Sequence, residues 1–341
     1  MNYLDLPIPK RSEHLWRYTS WKRVHPTKVD TLPSITSATV SVNGLVISPN
    51  STAVVTPDDD ISRVFLAESN NQMHKVVIND DNNDLSIQIN SEDDANSCHI
   101  HFDAKVSASV RISLTGNSKW FGLKITGELG QNVNLSYGIV NDMGDDTTIL
   151  RCEDWQVSRD STLEYGELSA GGERIKSDIR TYLSGVNSSL MQNIAVNCQA
   201  TSVDDHHIEI HHLSGHSNSS LTVKSACADR SHAIGTGLLV IEEDCDKSDA
   251  GQVFKNLLLS ERAKAESIPE LEVLSDDVSA AHGAASSSVD PEQIHYLMAR
   301  GFSREDATSE IVEGFLISSF AKIANQQTRE FLINSLSNLL D

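Results

Sequence analysis

The sequence predicts a mainly β chain, a parallel β-helix that gives way to helices near its end, and three observations predict it. Short segments of period-2 alternation recur from about residue 98 to 260, beginning near Asn132, Thr147, Ser161, Arg174, Ser188, His206, Asn218 and His232. Their starts lie 12 to 18 residues apart with no helical apolar stripe between them, as evenly spaced short strands would. The intervening turns lack the Asn-Gly and Asp-Gly pairs of tight hairpins, which disfavours an antiparallel meander. After about residue 288 the apolar period becomes helical. On this pattern a solenoid stands slightly ahead of a sandwich, because stacked half-coils need no hairpin turns.

Residues 1–95 read as an irregular N-terminal segment with lead-in strands. Trp16, Tyr18 and Trp21 cluster there, and Ser12-Glu13-His14-Leu15 is a candidate start for a short helix. Residues 31–95 are rich in Ser, Thr, Asn and Asp, with apolar runs at 39–47 and 75–78. The Asp58-Asp59-Asp60 and Asp80-Asp81-Asn82-Asn83-Asp84 clusters read as exposed turns. Residues 96–288 form the expected β-helix core.

Residues 289–341 form the expected α-helical subdomain. Asp290-Pro291-Glu292 supplies an N-cap, a proline at the first helical position and an acidic first turn. That helix carries Ile294, Leu297 and Met298 and meets Gly301, a natural C-cap. Ser303-Arg304-Glu305-Asp306 resembles a capping box with Asp in the Glu position. Ile311, Val312, Phe315, Leu316 and Phe320 follow at helical spacing, and a third stretch carries Phe331, Leu332, Leu336, Leu339 and Leu340.

The 341 residues carry 48 acidic and 27 basic side chains, a formal charge of −21. Such a surface repels phosphate backbones, so no nucleic-acid partner is expected. The five cysteines (Cys98, Cys152, Cys198, Cys227, Cys245) show no C-x-x-C spacing, which fits neither a disulfide framework nor a self-contained zinc or cluster cradle. No stretch of 18 apolar residues occurs, and residues 1–16 hold no signal-like apolar core, so no membrane association and a cytoplasmic location are expected. Gly235-Thr236-Gly237 lacks the third glycine and following lysine of a phosphate loop.

The stretch Ser248-Asp249-Ala250-Gly251-Gln252 through Asn256-Leu257-Leu258-Leu259-Ser260, then Ile268-Pro269-Glu270-Leu271-Glu272, Asp276-Asp277-Val278 and His282-Gly283-Ala284, resembles the C-terminal signature of the SufB/SufD family. The likeness continues through Asp290, Glu292-Gln293-Ile294, Tyr296-Leu297, Arg300-Gly301 and Ala307 to Gly314-Phe315, with Asp205-His206-His207, His212 and His216 upstream. Near the start, Trp16-Arg17-Tyr18-Thr19 is similar to the motif that opens SufD chains. SufB-like chains carry a Cys-Gly-Ala-His-Thr stretch where this one reads Ala263-Lys264-Ala265-Glu266-Ser267. The His-Gly-Ala triplet is instead the SufD pattern, with Ala280 here in place of Cys and Ala285 in place of Thr.

The resemblance implies a right-handed parallel β-helix and a non-catalytic scaffold subunit of an iron–sulfur cluster assembly complex. It implies pairing with a SufB-like paralogue through the β-helices, and with a SufC-like ATPase through helices at 290–325. It implies a cluster held transiently and shared with the partner, with His282 as the matching candidate ligand. Two alternatives stay open: an architectural family member without cluster ligation, and a β-solenoid enzyme acting on an extended polymer.

Among the residues themselves, a lone histidine such as His282 is more often structural. The run His206-His207-Ile208-Glu209-Ile210-His211-His212 is the densest local feature. On a strand His207, Glu209 and His211 share one face, a candidate site for a divalent metal, and His206, Ile208, Ile210 and His212 share the other. The alternative is a solvated polar face and hydrogen-bonded ladder histidines. Cys227 and Cys245 read as lining a sulfur path or as small buried hydrophobes. Trp16, Tyr18 and Trp21 read as partner contacts or as anchors on the chain's own solenoid.

Overall fold

The computed structural model describes residues 3–27, 29, 31–56 and 59–340. Four short strands lead in: β1 (Thr36–Ser37), β2 (Thr39–Val42), β3 (Leu45–Ile47) and β4 (Ser51–Thr52). Next come β5 (Gln72–Ile78), β6 (Asp84–Asn90), β7 (Ala95–Ala104), β8 (Ala108–Gly116), β9 (Trp120–Leu129), β10 (Asn134–Met143), β11 (Thr148–Val157) and β12 (Thr162–Ser169). The series ends with β13 (Arg174–Leu183), β14 (Ser189–Cys198), β15 (Val203–His212), β16 (Asn218–Cys227), β17 (His232–Ile241), β18 (Asp249–Leu258), β19 (Lys264–Val273) and β20 (Ser279–Ser288).

From β5 onward odd-numbered strands build one sheet and even-numbered strands the other, each running parallel to the next strand of its own sheet. The chain is therefore a parallel β-solenoid of about eight turns, which removes the sandwich. Ala95 pairs with Trp120, 25 residues on, and His232 with Lys264, 32 residues on. Among the described strands, antiparallel pairing is confined to the lead-in, where β2 caps β6 and pairs β3, and β4 pairs β5.

The corners explain the missing hairpin chemistry. Asn132, Asp160, Asn187 and His216 take positive φ one coil apart, a conformation short polar side chains tolerate. Asn187 Nδ2 donates to Asp160 Oδ1 at 2.8 Å between coils. The sequence placed one strand start at His206, but β15 begins at Val203. Asp204 and Asp205 look like turn residues and are buried: Asp205 accepts from Lys176 Nζ at 2.9 Å, and Asp204 from Ser169 Oγ at 2.6 Å.

Inward side chains from both sheets fill the lumen, with Phe102, Tyr137, Trp155 and Tyr165 as its aromatic layer. The outer faces are also covered. On the odd sheet the N-terminal segment, including α1 (Trp21–Val24), packs with α2 (Ile61–Ser69) on Trp120, Leu150 and Cys152. Trp16 and Trp21 are buried there, so they anchor on the chain's own solenoid. The helix α2 corrects the reading of residues 58–60 as an exposed turn. Asp58 lies outside the described residues, and Asp60 is the α2 N-cap, accepting from Ser62 N and Arg63 N at 3.1 Å each. Asp80 and Asp81 lie in an exposed turn as expected, while Asn82 is half-buried and Asp84 already opens β6.

Three helices follow: α3 (Pro291–Met298), α4 (Arg304–Ile317) and α5 (Gln326–Leu340). Asp290 accepts from Glu292 N at 2.9 Å, and Ser303 and Asp306 form the reciprocal cap at 3.0 and 2.7 Å. Val312, Leu316, Phe320, Leu332 and Leu336 bury themselves on Val140, Leu168, Ala195 and Ala226 of the even sheet. Gly138 and Gly166, paired across β10 and β12, let α5 approach: a Cβ there would meet Thr328 at 2.9 Å and Leu332 at 2.4 Å. No described helix is long and apolar enough to cross a membrane.

Candidate functional site

Three places on this frame concentrate chemistry. The first is the outer face of the odd sheet. Outward residues Lys176, Asp178, Arg180 and Tyr182 of β13 lie in register with Asp205, His207, Glu209 and His211 of β15. Opposite charges therefore face each other across the ladder, where such pairs stabilise. Tyr182 stacks on His211 with centroids 5.0 Å apart. From α2, Arg63 reaches down and donates to Asp178 at 2.5 Å and to Asp154 at 2.8 Å. Burial would raise the Asp178 carboxyl, but Arg63 and Arg180 outweigh it and hold it well below the usual carboxylate range.

His207, Glu209 and His211 share that face. His207 Nε2 lies 2.9 Å from Glu209 Oε1, and His211 Nε2 lies 3.0 Å from Glu209 Oε2. Ligand atoms of Asp178, His207 and Glu209 all fall within 4.8 Å of one another. Asp178 was missed in the sequence, yet a signal existed: Lys-x-Asp-x-Arg at 176–180 precedes Asp-x-His-x-Glu at 205–209 by one coil. The opposite row points into the lumen, where His212 contacts Ser217 Oγ at 2.7 Å and Ser219 Oγ at 2.8 Å.

The second place is inside the lumen and was not read from sequence. Arg151 Nε donates to Glu153 Oε1 at 2.8 Å and its Nη1 to Glu167 Oε1 at 2.5 Å. Trp155 Nε1 donates to Glu153 Oε2 at 2.8 Å, and Tyr165 donates to Glu167 Oε2 at 3.0 Å. His206 closes the chain, 2.9 Å from Glu167 and 2.6 Å from Asp204. All these charges are buried, and such groups persist only when mutually paired. Burial would raise Glu167, but Arg151 and His206 outweigh it and lower its pKa to about 2. Burial would lower His206, but Asp204 and Glu167 raise it to about 10.

The third place is the far end of the solenoid. The strands β19 and β20 end the two sheets, and their residues are half-buried to exposed where inner strands are buried. His282 lies on β20 in register with Gln252. Gln252 is buried and donates from Nε2 to the Glu270 carbonyl at 2.7 Å. His282 thus continues a lumen-facing row at the uncovered end, flanked in that row by Ala280 and Ala284, and is exposed. From the N-terminal segment, His14 reaches the same end, with Nδ1 3.4 Å from Glu270.

Cys227 is buried in register with Cys198, and buried Cys245 donates to the His212 carbonyl at 3.2 Å. Gly235-Thr236-Gly237 lies inside β17, packed by Phe254.

Comparison with known proteins fits this architecture. Residues 72–315 match the family model described as "SUF system FeS cluster assembly, SufBD core domain". The iron–sulfur cluster assembly protein SufD of Escherichia coli is 31% identical over 162 residues, covering 48% of this chain and 38% of that protein. SufD of Bacillus subtilis is 28% identical over 214 residues, covering 62% and 48%. A SufBD family protein of Mycobacterium leprae is 28% identical over 215 residues, covering 59% and 53%. The matched region spans about half or less of these relatives' own lengths. A match over most of the solenoid and the first two C-terminal helices, joined to SufD relatives, places the chain in the SufBD family of iron–sulfur cluster assembly proteins, as a SufD-like member.

Proposed function

We propose that the chain is a non-catalytic scaffold subunit that pairs with a SufB-like paralogue through its open end and with a SufC-like ATPase through its C-terminal helices. The observation that carries this reading is the uncovered last coil. Among the described residues no strand pairs with the outer edges of β19 and β20, and an exposed edge is a template for another chain. A second solenoid ending in a similar coil would continue both sheets. His282 then sits at the junction, where a neutral imidazole can ligate iron. The cluster is cargo, held transiently between the two chains, and the partner must bring thiolates because position 280 is Ala.

The helices supply the second surface. Tyr296, Met298 and Phe302 around the end of α3 are exposed, although Val312 and Leu316 of α4 are buried on the sheet. Co-expression with a cysteine-bearing paralogue and the ATPase tests the reading. Co-elution of three chains is the expected result, and a chain that elutes alone under all conditions overturns it. The polymer-enzyme reading has little structural support, since helices and the N-terminal segment cover the middle of both outer faces.

A further inference from the structure

We propose that the outer face of β13 and β15 is a binding site for a divalent transition-metal ion, held by His207, Glu209 and Asp178, with His211 on the other Glu209 oxygen.

The tautomer of His207 is the first argument. Thr236 directs its hydroxyl to the His206 carbonyl at 3.4 Å, so its oxygen accepts from His207 Nδ1 at 2.7 Å. That places the lone pair of a neutral His207 on Nε2, facing Glu209 Oε1 at 2.9 Å. With Nδ1–H committed to Thr236, the Nε2 of a neutral ring faces the carboxylate with its lone pair open, where one cation can take both atoms. Metal-bound histidines have this arrangement, with the other ring nitrogen donating to an oxygen that fixes the tautomer.

Charge is the second argument. Asp60, Asp154, Asp178 and Glu209 bring four negative charges to this patch, and Arg63 and Arg180 return only two. One dication balances the remainder. Asp178 keeps capacity for it: three guanidinium N–H groups occupy its oxygens, and a carboxylate has about four lone-pair sites. Access is the third. His207 is buried behind His14, with ring centroids 5.6 Å apart, but Glu209 and His211 are part-exposed and leave an entry path. Mixed imidazole and carboxylate donors select a borderline ion such as Zn2+, Co2+ or Fe2+ over Ca2+ or Mg2+.

Co2+ titration of the full chain, followed by d–d absorption, tests the site. One equivalent should produce ligand-field bands that Zn2+ displaces. Glu209→Gln should abolish them, and Thr236→Val, which removes no donor, should weaken Co2+ affinity about 10- to 100-fold. Circular dichroism matching wild type qualifies each variant, and His211→Ala, at the exposed side, replaces Glu209→Gln if that chain does not fold. Wild type that takes up no Co2+, or bands unchanged in these variants, overturns the proposal.

Discussion

Gly127 of β9 lies in register with Trp155 of β11, and a Cβ on Gly127 would meet the indole at 2.2 Å. The indole leaves little room to move, since Trp155 Nε1 donates to Glu153 and its ring stacks 6.1 Å from Phe102. Gly127→Ala should therefore cost about 1–3 kcal/mol through overpacking. Chemical denaturation reads this directly. An unchanged midpoint would mean that the aromatic layer rearranges freely.

The lumen charges give a pH-dependent prediction. Glu167 is lowered from 4.5 to about 2, against the raising effect of its burial, by Arg151 and His206. Its contribution to stability is complete above its unfolded value and is lost as pH falls through its folded value. Glu167→Gln keeps the shape but leaves two cations short of a partner, so about 3–5 kcal/mol should be lost near neutral pH. The gap between wild type and variant should narrow as pH falls from 4.5 toward 2. A gap that stays constant across that window would assign the loss to packing alone.

How much of this was legible depended on range. Period-2 alternation and Asp/Asn corners gave the strands at Thr148, Thr162 and His232 because both signals are local. Capping at Asp290 and Ser303 was equally local. The helix α2 was hidden because nine residues of helix followed an acidic run that reads as a turn. Arg151, Glu153, Glu167 and His206 were invisible as a network because they meet only after coils stack, 16 and 39 residues apart along the chain. The face shared by His207, Glu209 and His211 was readable, since alternation on a strand fixes it. Asp178 was not, because its place beside His207 depends on coil length.

The proposed ATPase contact on the C-terminal helices can be tested directly. Tyr296 is 57% and Phe302 39% exposed, and Arg300 lies over the Tyr296 ring at 4.3 Å. Exposed aromatics beside arginine are typical binding anchors. Tyr296→Glu and Phe302→Glu should each weaken ATPase binding tenfold or more, about 1.4 kcal/mol, while leaving the β signal in circular dichroism intact. Unchanged affinity in both variants would move the contact elsewhere.

His282 is where fold and proposed chemistry can be separated. Its ring is exposed on the last strand, between Ala280 and Ala284 in its own row and beyond Gln252 in the preceding coil. The ring is exposed, so His282→Ala should change stability by no more than about 0.5 kcal/mol. A cluster bridging two chains needs donors from both, and Ala280 has none to offer, so a lost imidazole leaves iron under-coordinated. In the complex assembled with the cysteine-bearing partner and the ATPase, cluster yield should fall while co-elution persists. Normal assembly with unchanged cluster yield would make this chain an architectural partner, with the last coil serving only to join two solenoids. Loss of co-elution would instead place His282 in the joint itself, because an edge that pairs backbone to backbone should tolerate the loss of one side chain.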